Sequence, residues 1–328
     1  MIDASPLART RRRLGAVAVA WLLFAAWPFV AGNDYVTSLG VAFFINLLLI
    51  AGLNLVMGYG GQISLCQAGF FGLGAYVSGV LAAKLGWPAW IGLGAAPLGT
   101  ALSALVIGLP ALRLRGHYLA MATLGFNAIL GVLFVELVPL TGGPNGLAGI
   151  PPIRIGSIAL DNAARFYWLA WLAGGVLMAL LAGLVASRMG RALRAVEGSE
   201  IAAAGMGVDP FRTKLVAFVL SAAIAGVAGS LYAHFNQYAS PETFGFSASV
   251  LLVVMVALGG WGHYWGPVFG AAVYTAVPEL LRRFQDAELL VFGAGMVVVL
   301  LFLPEGIAGL GPRRRTRTPR APLTKEAT

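Results

Sequence analysis

Side chains that usually carry catalysis or bind metals are few and scattered in this chain. The three histidines, His117, His234 and His263, have no spacing suited to a shared metal ion, and no HExxH or GxSxG motif occurs. None of the three lysines follows a glycine, as a phosphate-binding P-loop requires. The single cysteine, Cys66, cannot form an intrachain disulfide. We therefore expect neither an enzyme nor a bound cofactor or metal in this chain.

Five neutral amide side chains interrupt the apolar stretches that make up most of the sequence. A charged group at the centre of a bilayer costs roughly 2.5–3.5 kcal/mol. No apolar stretch has a charged residue clearly at its middle, and this argues against a pump for protons or metal ions. Amides are polar but uncharged, so they can line a path for a small zwitterion. They can equally well bond between neighbouring helices, and the sequence leaves both interpretations open. The candidates for the path are Asn46, Asn54, Gln62, Gln67 and Asn127.

The composition indicates the environment of these side chains. Hydrophobic residues make up 59% of the 328 residues and charged residues only 11%, compared with about 25% charged in soluble domains. The chain is therefore predicted to be an integral membrane protein in the lipid bilayer. Much of its net charge of +9 lies in two arginine-rich ends. Such ends usually set topology and contact anionic lipid, so nucleic-acid binding is not expected.

Ten apolar stretches are long enough, or nearly so, to cross the bilayer as helices. The eighth and ninth are short, and merging them would give nine. We therefore predict an all-α polytopic membrane protein of about ten transmembrane helices, with eight to ten as the range. The predicted bounds are 14–31, 39–57, 62–84, 89–109, 117–138, 166–186, 216–235, 246–258, 267–281 and 289–303.

The basic residues predict the orientation of these helices. With both termini cytoplasmic, the inner segments hold four basic residues in the N-terminal arm, two after the fourth helix, five in the central loop and six in the C-terminal tail, against five outside. This distribution follows the positive-inside rule. The predicted organisation is a basic cytoplasmic arm (1–13), a transmembrane domain (14–310) and a basic, disordered cytoplasmic tail (311–328).

The third predicted helix carries a glycine face. On a helix, Gly69, Gly72 and Gly79 fall within about 80° of one another, which leaves a groove along one side. Small-residue faces let membrane helices pack closely, because lipid provides no hydrophobic drive between helices. We expect a neighbouring backbone to lie against this face.

The most polar stretch between the two tails is the loop 187–214, SRMGRALRAVEGSEIAAAGMGVDPFRTK. Ser199 can cap a short helix after Gly198, and Asp209-Pro210 supplies an N-cap and a first-turn proline for the next helix. The short helix would lie beneath the membrane with small side chains outward and arginines nearby. Such a loop can dock into a groove of a cytoplasmic partner. It can also be a plain connection that is anchored to lipid headgroups.

Seven stretches form a characteristic series: NLVMGYGGQISLCQAGFFGLGAYVSG (54–79), LPALRLRGHYLAMATLG (109–125), TGGPNGLAGIP (141–151), 190–233, SPETFGF (240–246), 255–270 and LFLPEGIAGL (301–310). In this order they resemble the permease subunit of bacterial branched-chain amino acid ABC importers, of the LivM class. The resemblance implies a type II ABC importer permease of the bacterial inner membrane. It also implies two ABC ATPase subunits that bind ATP and Mg²⁺, a second homologous permease subunit, and a soluble periplasmic or extracellular substrate-binding protein.

In that family the central loop is the coupling element, similar to the EAA loop of import permeases. Ala202, Ala203 and Gly207 match the alanine pair and the glycine of that pattern. Ile201 stands in place of its glutamate, and Glu200 lies one residue early. The resemblance implies that the loop contacts the ATPase, with the candidate contacts Arg191, Arg194, Glu197, Glu200, Ala202, Ala203 and Gly207.

The implied substrates are branched-chain or other hydrophobic amino acids. Similar permeases carry urea, short amides or aromatic acids, and these remain alternatives. An ion-coupled secondary transporter is an alternative of another class. Such transporters usually contain intramembrane carboxylates or inverted repeats, and neither is evident in this sequence.

Overall fold

The structure, a computed structural model, describes residues 21, 24–28, 32–114, 116–156, 158–281, 293 and 306–310. Helices dominate it, as predicted, and are numbered from the first one whose bounds are described. They are α1 (Asp34–Asn54), α2 (Gln67–Ala83), α3 (Ala89–Ala111), α4 (His117–Glu136), α5 (Val138–Thr141), α6 (Ala163–Ala186), α7 (Arg188–Gly198), α8 (Glu200–Gly205), α9 (Pro210–Asn236), α10 (Phe246–Gly259) and α11 (Gly266–Leu281). Four two-residue strands form two antiparallel pairs, β1 (Leu147–Ala148) with β4 (Tyr238–Ala239) and β2 (Arg154–Ile155) with β3 (Ile158–Ala159).

Five helices in the described residues are long and apolar enough to cross a membrane. They are α1 with its π-helical continuation Leu55–Tyr59, α3, α4, α6 and α9, whereas α2 and α10 are apolar but shorter. The second to ninth predicted spans are thus all helical, with ends displaced by up to six residues. The first and tenth predicted spans, the arm and the tail lie wholly or mostly outside the described residues.

Contacts between connecting segments show that successive helices alternate in direction. At one end of the bundle β1 pairs with β4, and Trp90 Nε1 donates to the carbonyl of Arg154 at 2.5 Å. At the other end Gly61 lies against Glu197. Each of these contacts joins two connecting segments that would lie at the same end of the bundle if successive helices alternate in direction. We call the two ends the strand face, which carries β1–β4, and the loop face, which carries residues 187–214.

Helix α9 lies against α2 and α3 and is central to the packing. A Cβ atom on Gly74 of α2 would lie 2.5 Å from Cα of Gly226, and one on Gly229 would lie 2.1 Å from the carbonyl oxygen of Phe71. The backbones of α2 and α9 are therefore in direct contact. Only glycine allows this approach, which gains dispersion energy where lipid offers no hydrophobic drive.

The glycine face predicted for α2 packs differently. A Cβ atom on Gly69 would lie 2.6 Å from Oδ1 of Asn127, and one on Gly72 would lie 2.6 Å from the ring of Phe244. Gly79 likewise lies under aliphatic side chains. Close packing at this face is confirmed, but backbone contact there is wrong, because bulky side chains of neighbouring segments fill the groove.

Residues 60–66 are not helical, and we call them the unwound segment. The predicted helix start at Gln62 is wrong by five residues, since α2 begins at Gln67. Gly61, with a φ angle of +63°, follows the π-helical turn in a conformation that glycine adopts without strain. The residues Ile63, Leu65 and Cys66 continue the apolar run of the sequence, and the adjacent glycines Gly60 and Gly61 mark where the helix ends.

Candidate functional site

The loop 187–214 is fixed tightly to the end of α6. Arg191 Nη1 and Arg194 Nη2 donate, each at 3.2 Å, to the last two carbonyls of α6. These carbonyls carry the negative end of the helix dipole, so the two guanidinium groups stabilise the corner between α6 and α7. Gly190 allows the close turn, because a Cβ atom there would lie 2.4 Å from the carbonyl oxygen of Val185. Both arginines, the predicted partner contacts, thus bond first within their own chain.

The two helices that follow begin at the predicted caps. Ser199 Oγ accepts the N–H of Ala202 at 3.3 Å and starts α8, while Asp209 Oδ1 accepts the N–H of Arg212 at 3.1 Å and starts α9. Helix α9 therefore begins at Pro210, six residues before the predicted seventh span. The loop consists of two short capped helices between two long ones rather than of irregular chain.

The outward surface at α8 is apolar. Ile201 is 83% exposed and Met206, just beyond the helix, is 74% exposed. Ala202 and Gly207 beside them are exposed, whereas Ala203 is fully buried. The prediction of small outward side chains is correct for Ala202 and wrong for Ala203, because the fourth residue of the helix turns inward. Ile201 and Met206 were not among the predicted contacts, although two large apolar side chains in a polar loop can be recognised from the sequence as a possible contact surface.

Two contacts join the loop to deeper parts of the bundle. Lys214 Nζ lies 2.5 Å from Glu200 Oε1, which ties α8 to the first turns of α9. Glu197, near the end of α7, lies against Gly61, whose added Cβ atom would be 3.2 Å from Cγ of Glu197. Of the two predicted acidic contacts, Glu200 is thus paired within the chain, and Glu197 is exposed. The loop contacts both α9 and the unwound segment.

Two of the five amides are bonded at both ends of the amide group. Asn54 accepts the N–H of Gly262 at 3.0 Å and donates to the carbonyl of His263 at 3.1 Å. Gln67 accepts the hydroxyl of Ser221 at 3.0 Å and donates to a carbonyl of α1 at 3.2 Å. Both side chains are buried. These bonds correspond to the packing alternative that the sequence left open.

Gln62 and Asn127 are buried without such bonds. Each is 2% exposed, and in the described part of the chain neither amide atom of Gln62 has a hydrogen-bond partner, nor does Oδ1 of Asn127. A buried polar group without a partner costs roughly 1–3 kcal/mol, so their retention in an apolar bundle requires a reason. Asn127 Oδ1 points at the first turn of α2, next to Gly69.

The fifth amide, Asn46, lines a cavity of about 250 Å³ between α1, α2, α9, α10 and α11. Its Nδ2 donates to Thr275 Oγ1 at 3.3 Å. The walls are mainly aromatic and aliphatic, and the polar residues Asn236 and Thr243 also line the cavity. Small-molecule sites usually combine apolar walls with a few placed polar groups in this way.

These features together are those of a polytopic membrane permease. The bundle crosses the membrane repeatedly, its buried polar side chains include neutral amides, and one capped loop with an apolar tip projects from it. Within the described ranges, no three His, Cys, Asp or Glu residues are grouped as a metal site requires.

The chain belongs to the family described as branched-chain amino acid transport system / permease component, which it matches over residues 35–300. It is 33% identical to the high-affinity branched-chain amino acid transport system permease protein LivM of Escherichia coli (strain K12), over 93% of this chain and 76% of that protein. LivM of Salmonella typhimurium is 32% identical, over 87% and 72%. LivH of Salmonella typhimurium, also a permease protein of such a system, is 27% identical, over 80% and 90%. No solved structure matches. The resemblance recognised in the sequence is confirmed.

Proposed function

We propose that this chain is the transmembrane permease subunit of an ATP-driven importer of branched-chain or other hydrophobic amino acids. Its family membership and its similarity to LivM over 93% of its length support this assignment. Its similarity to LivH supports a second homologous permease as its partner in the membrane. Two ATPase subunits, which bind ATP and Mg²⁺, and a soluble substrate-binding protein complete the proposed importer.

The observation that carries the proposal is the docking surface at α8. Ile201, on a capped and ion-paired helix, and Met206, just beyond its end, present apolar side chains at fixed positions. Large apolar groups held outward in this way are typical of anchors that fill a partner's pocket. A loop that only connected two helices would need neither this apolar tip nor the arginine bonds that fix its base. We infer that α8 fits a groove on an ATPase subunit.

The same contacts give a route for coupling. A displacement of α8 by the ATPase reaches α9 through the Glu200–Lys214 ion pair. A displacement of α7 reaches the unwound segment through the contact between Glu197 and Gly61. In this proposal, ATP binding and hydrolysis on the partner therefore act on two membrane elements at once.

A neutral lining suits the proposed substrates, which are zwitterions with apolar side chains. Asn46, at the cavity of about 250 Å³, is the candidate on the strand-face side. Gln62 and Asn127 retain unused hydrogen-bonding atoms and are the candidates deeper in the bundle. Asn54 and Gln67 instead hydrogen-bond to neighbouring segments of the chain, and in the proposal they stabilise the helices around the path.

We place the protein in the bacterial inner membrane with the loop face and both termini in the cytoplasm. The excess of basic residues in the arm, in the loop 187–214 and in the tail supports this orientation. The strand face would then meet the binding protein.

The test is to purify the tagged chain in mild detergent and to identify the proteins that accompany it by mass spectrometry. P-loop ATPases and a second permease are expected, and the reconstituted complex should take up L-leucine only when ATP and the binding protein are present. Uptake of urea, a short amide or an aromatic acid in place of leucine would assign the same machinery to another substrate. A chain that purifies alone and transports without ATP would be an ion-coupled transporter.

A further inference from the structure

The unwound segment, residues 60–66, lies inside the membrane part of the bundle. Gln67, which follows it, accepts the hydroxyl of Ser221 at 3.0 Å. Ser221 lies eleven residues after the start of α9 and fifteen before its end. At 1.5 Å per residue, Gln67 is therefore roughly 16 Å from one end of α9 and about 22 Å from the other. The non-helical backbone crosses the part of the bundle between this middle level and the loop face.

Much of the polar backbone of this segment lacks a partner. The N–H of Gln62 donates to the carbonyl of Val56 at 3.2 Å, and the N–H of Leu65 donates to Thr123 Oγ1 at 3.1 Å. Among the described residues, no donor reaches the carbonyl oxygens of residues 61–65. Non-helical backbone at membrane depth does not face lipid; it is either buried in protein or lines a water-filled space.

One side of the unwound segment is open. Exposure alternates along it: Gly61 and Ile63 are exposed, the latter by 41%, whereas Gln62, Ser64 and Cys66 are buried. This alternation is that of an extended chain. Apart from Glu197 beside Gly61, the described part of the protein does not cover the open side, and the free carbonyls of the segment exclude lipid as its cover. Water in an open space can donate hydrogen bonds to these carbonyls, so no series of donors from another protein is needed.

Unpaired side-chain atoms lie around the same place. Both amide atoms of Gln62 are free of partners, and Oδ1 of Asn127 is aimed at the first turn of α2, where the segment ends. The side chain of Cys66, which precedes α2, makes no cap bond to the N–H groups of this first turn. Free acceptors and free donors both lie along the segment, and a zwitterion needs both.

We propose that the unwound segment, the first turn of α2 and Asn127 form a substrate-contacting part of the translocation path. The free carbonyls, with Oε1 of Gln62 and Oδ1 of Asn127, replace water around the ammonium group of a passing amino acid. Ile63 provides apolar contact for the substrate's side chain. This inference rests on the proposed function and adds to it the place in the chain where the substrate is handled.

The first test measures whether Ile63 faces water. In a Cys66→Ala background, Ile63→Cys is compared with Leu98→Cys, a control on α3 that is 72% exposed in the bundle. The whole importer is placed in lipid nanodiscs and treated with a charged methanethiosulfonate, and labelling of this chain is followed by mass spectrometry. Because the ionised thiolate is the reactive form, the Ile63→Cys thiol should react at least about tenfold faster than the lipid-facing control. L-leucine with its binding protein and ATP should slow the reaction.

An Ile63→Cys thiol that stays unreactive in every state of a complex that still transports would overturn the inference, since another protein would then cover the segment. A wild-type complex that shows no ATP-dependent uptake would instead refute the proposed function. The two failures are therefore distinguishable.

A second measurement uses the unpaired amides. Gln62→Leu and Asn127→Leu should lower the maximal rate of L-leucine uptake at least about fivefold while leaving thermal stability unchanged or raised, because no internal bond is lost. The matched control Gln67→Leu removes two internal bonds and should lower thermal stability. Wild-type uptake in both Gln62→Leu and Asn127→Leu would contradict the proposal.

Discussion

Lys214 Nζ lies 2.5 Å from Glu200 Oε1, and this ion pair joins the short helix α8 to the long helix α9. The side chain of Lys214 is 11% exposed and that of Glu200 is 35% exposed, so the pair is partly withdrawn from solvent. The loop contains a second pair, Arg212–Asp209 at 3.1 Å, whose side chains are 85% and 50% exposed. One pair links two helices and the other is local, which provides a matched comparison.

Glu200→Gln should reduce both stability and coupling. It leaves the mostly buried ammonium of Lys214 without its counter-charge, so we expect a loss of about 1–3 kcal/mol in the free energy of unfolding. Uptake per ATP hydrolysed should fall as well. The control Arg212→Met breaks the exposed pair and should cost less than about 1 kcal/mol. Thermal unfolding and the ratio of uptake to hydrolysis measure both effects, and equal effects of the two variants would contradict the linking role.

Ile201→Asp and Met206→Asp should prevent binding of the ATPase subunits without destabilising the permease. Both side chains are largely exposed, so a carboxylate there costs the isolated chain little, whereas in a partner's pocket it would be buried without a counter-charge. The measurement is the amount of ATPase recovered with the tagged chain. As a control, Leu85→Asp changes an exposed residue of the connection between α2 and α3, which lies at the opposite, strand face. Normal recovery with both loop variants would refute docking through α8.

Gly207 should be sensitive to substitution for a conformational reason. Its φ angle is +82°, and nothing lies within 4 Å of an added Cβ atom, so space does not limit the residue. The left-handed conformation costs a residue with a side chain about 1–2 kcal/mol. Gly207→Ala should therefore shift the end of α8 and uncouple hydrolysis from uptake, while Gly207→Asn, which tolerates this conformation, should do less. Normal coupled uptake by Gly207→Ala would argue against a fixed loop geometry.

Asn54→Leu should act on stability. The amide bonds to both Gly262 and His263, and its loss leaves a backbone N–H and a carbonyl unpaired inside the bundle. We expect a loss of roughly 2–4 kcal/mol, visible as a lower melting temperature. Uptake per folded transporter should be nearly unchanged. A large fall in uptake at unchanged stability would show instead that Asn54 lines the path.

The contact between α2 and α9 gives a sharper test of packing. Gly229→Ala places a methyl group only 2.1 Å from the carbonyl oxygen of Phe71. This overlap should lower the free energy of unfolding by about 1–3 kcal/mol or more. Gly94→Ala, in α3 with nothing within 4 Å, should be neutral or stabilise by up to about 1 kcal/mol. The melting temperatures of the two variants compare them directly. Similar values would show that the two backbones are not in contact.

The sequence predicted helices wherever apolar runs and caps agree, and it failed where tertiary contacts decide. Ser199 and Asp209 begin α8 and α9 because capping is local. Most of the unwound segment was predicted to be helical, because Ile63, Leu65 and Cys66 join the apolar run of α2 without a break. The side of α2 that meets another backbone could not be predicted either, because Gly74 lies opposite the face that carries Gly69, Gly72 and Gly79.

For the candidate site, the amides could be named from the sequence, but their hydrogen bonds could not. Asn54 and Gln62 are the same kind of side chain in the same kind of stretch. Both amide atoms of Asn54 are hydrogen-bonded and neither amide atom of Gln62 is. The difference depends on which backbone groups the fold places opposite each side chain. The side chains of Ile201 and Met206 could have been singled out, because apolar residues in a polar loop are visible without coordinates.

The glycine contact between α2 and α9 also restricts how the bundle can move. Two helices whose backbones touch have no side-chain layer between them that could rearrange, so we expect this contact to stay fixed during a transport cycle. Shear requires a side-chain layer that can change rotamers. Such a layer lies on the other side of α1, where the rings of Phe24 and Phe43 stack and Phe44 meets both edge-on, with ring centroids 5.1–5.8 Å apart. Sliding during transport is therefore expected along this aromatic seam, with α2 and α9 travelling as one body.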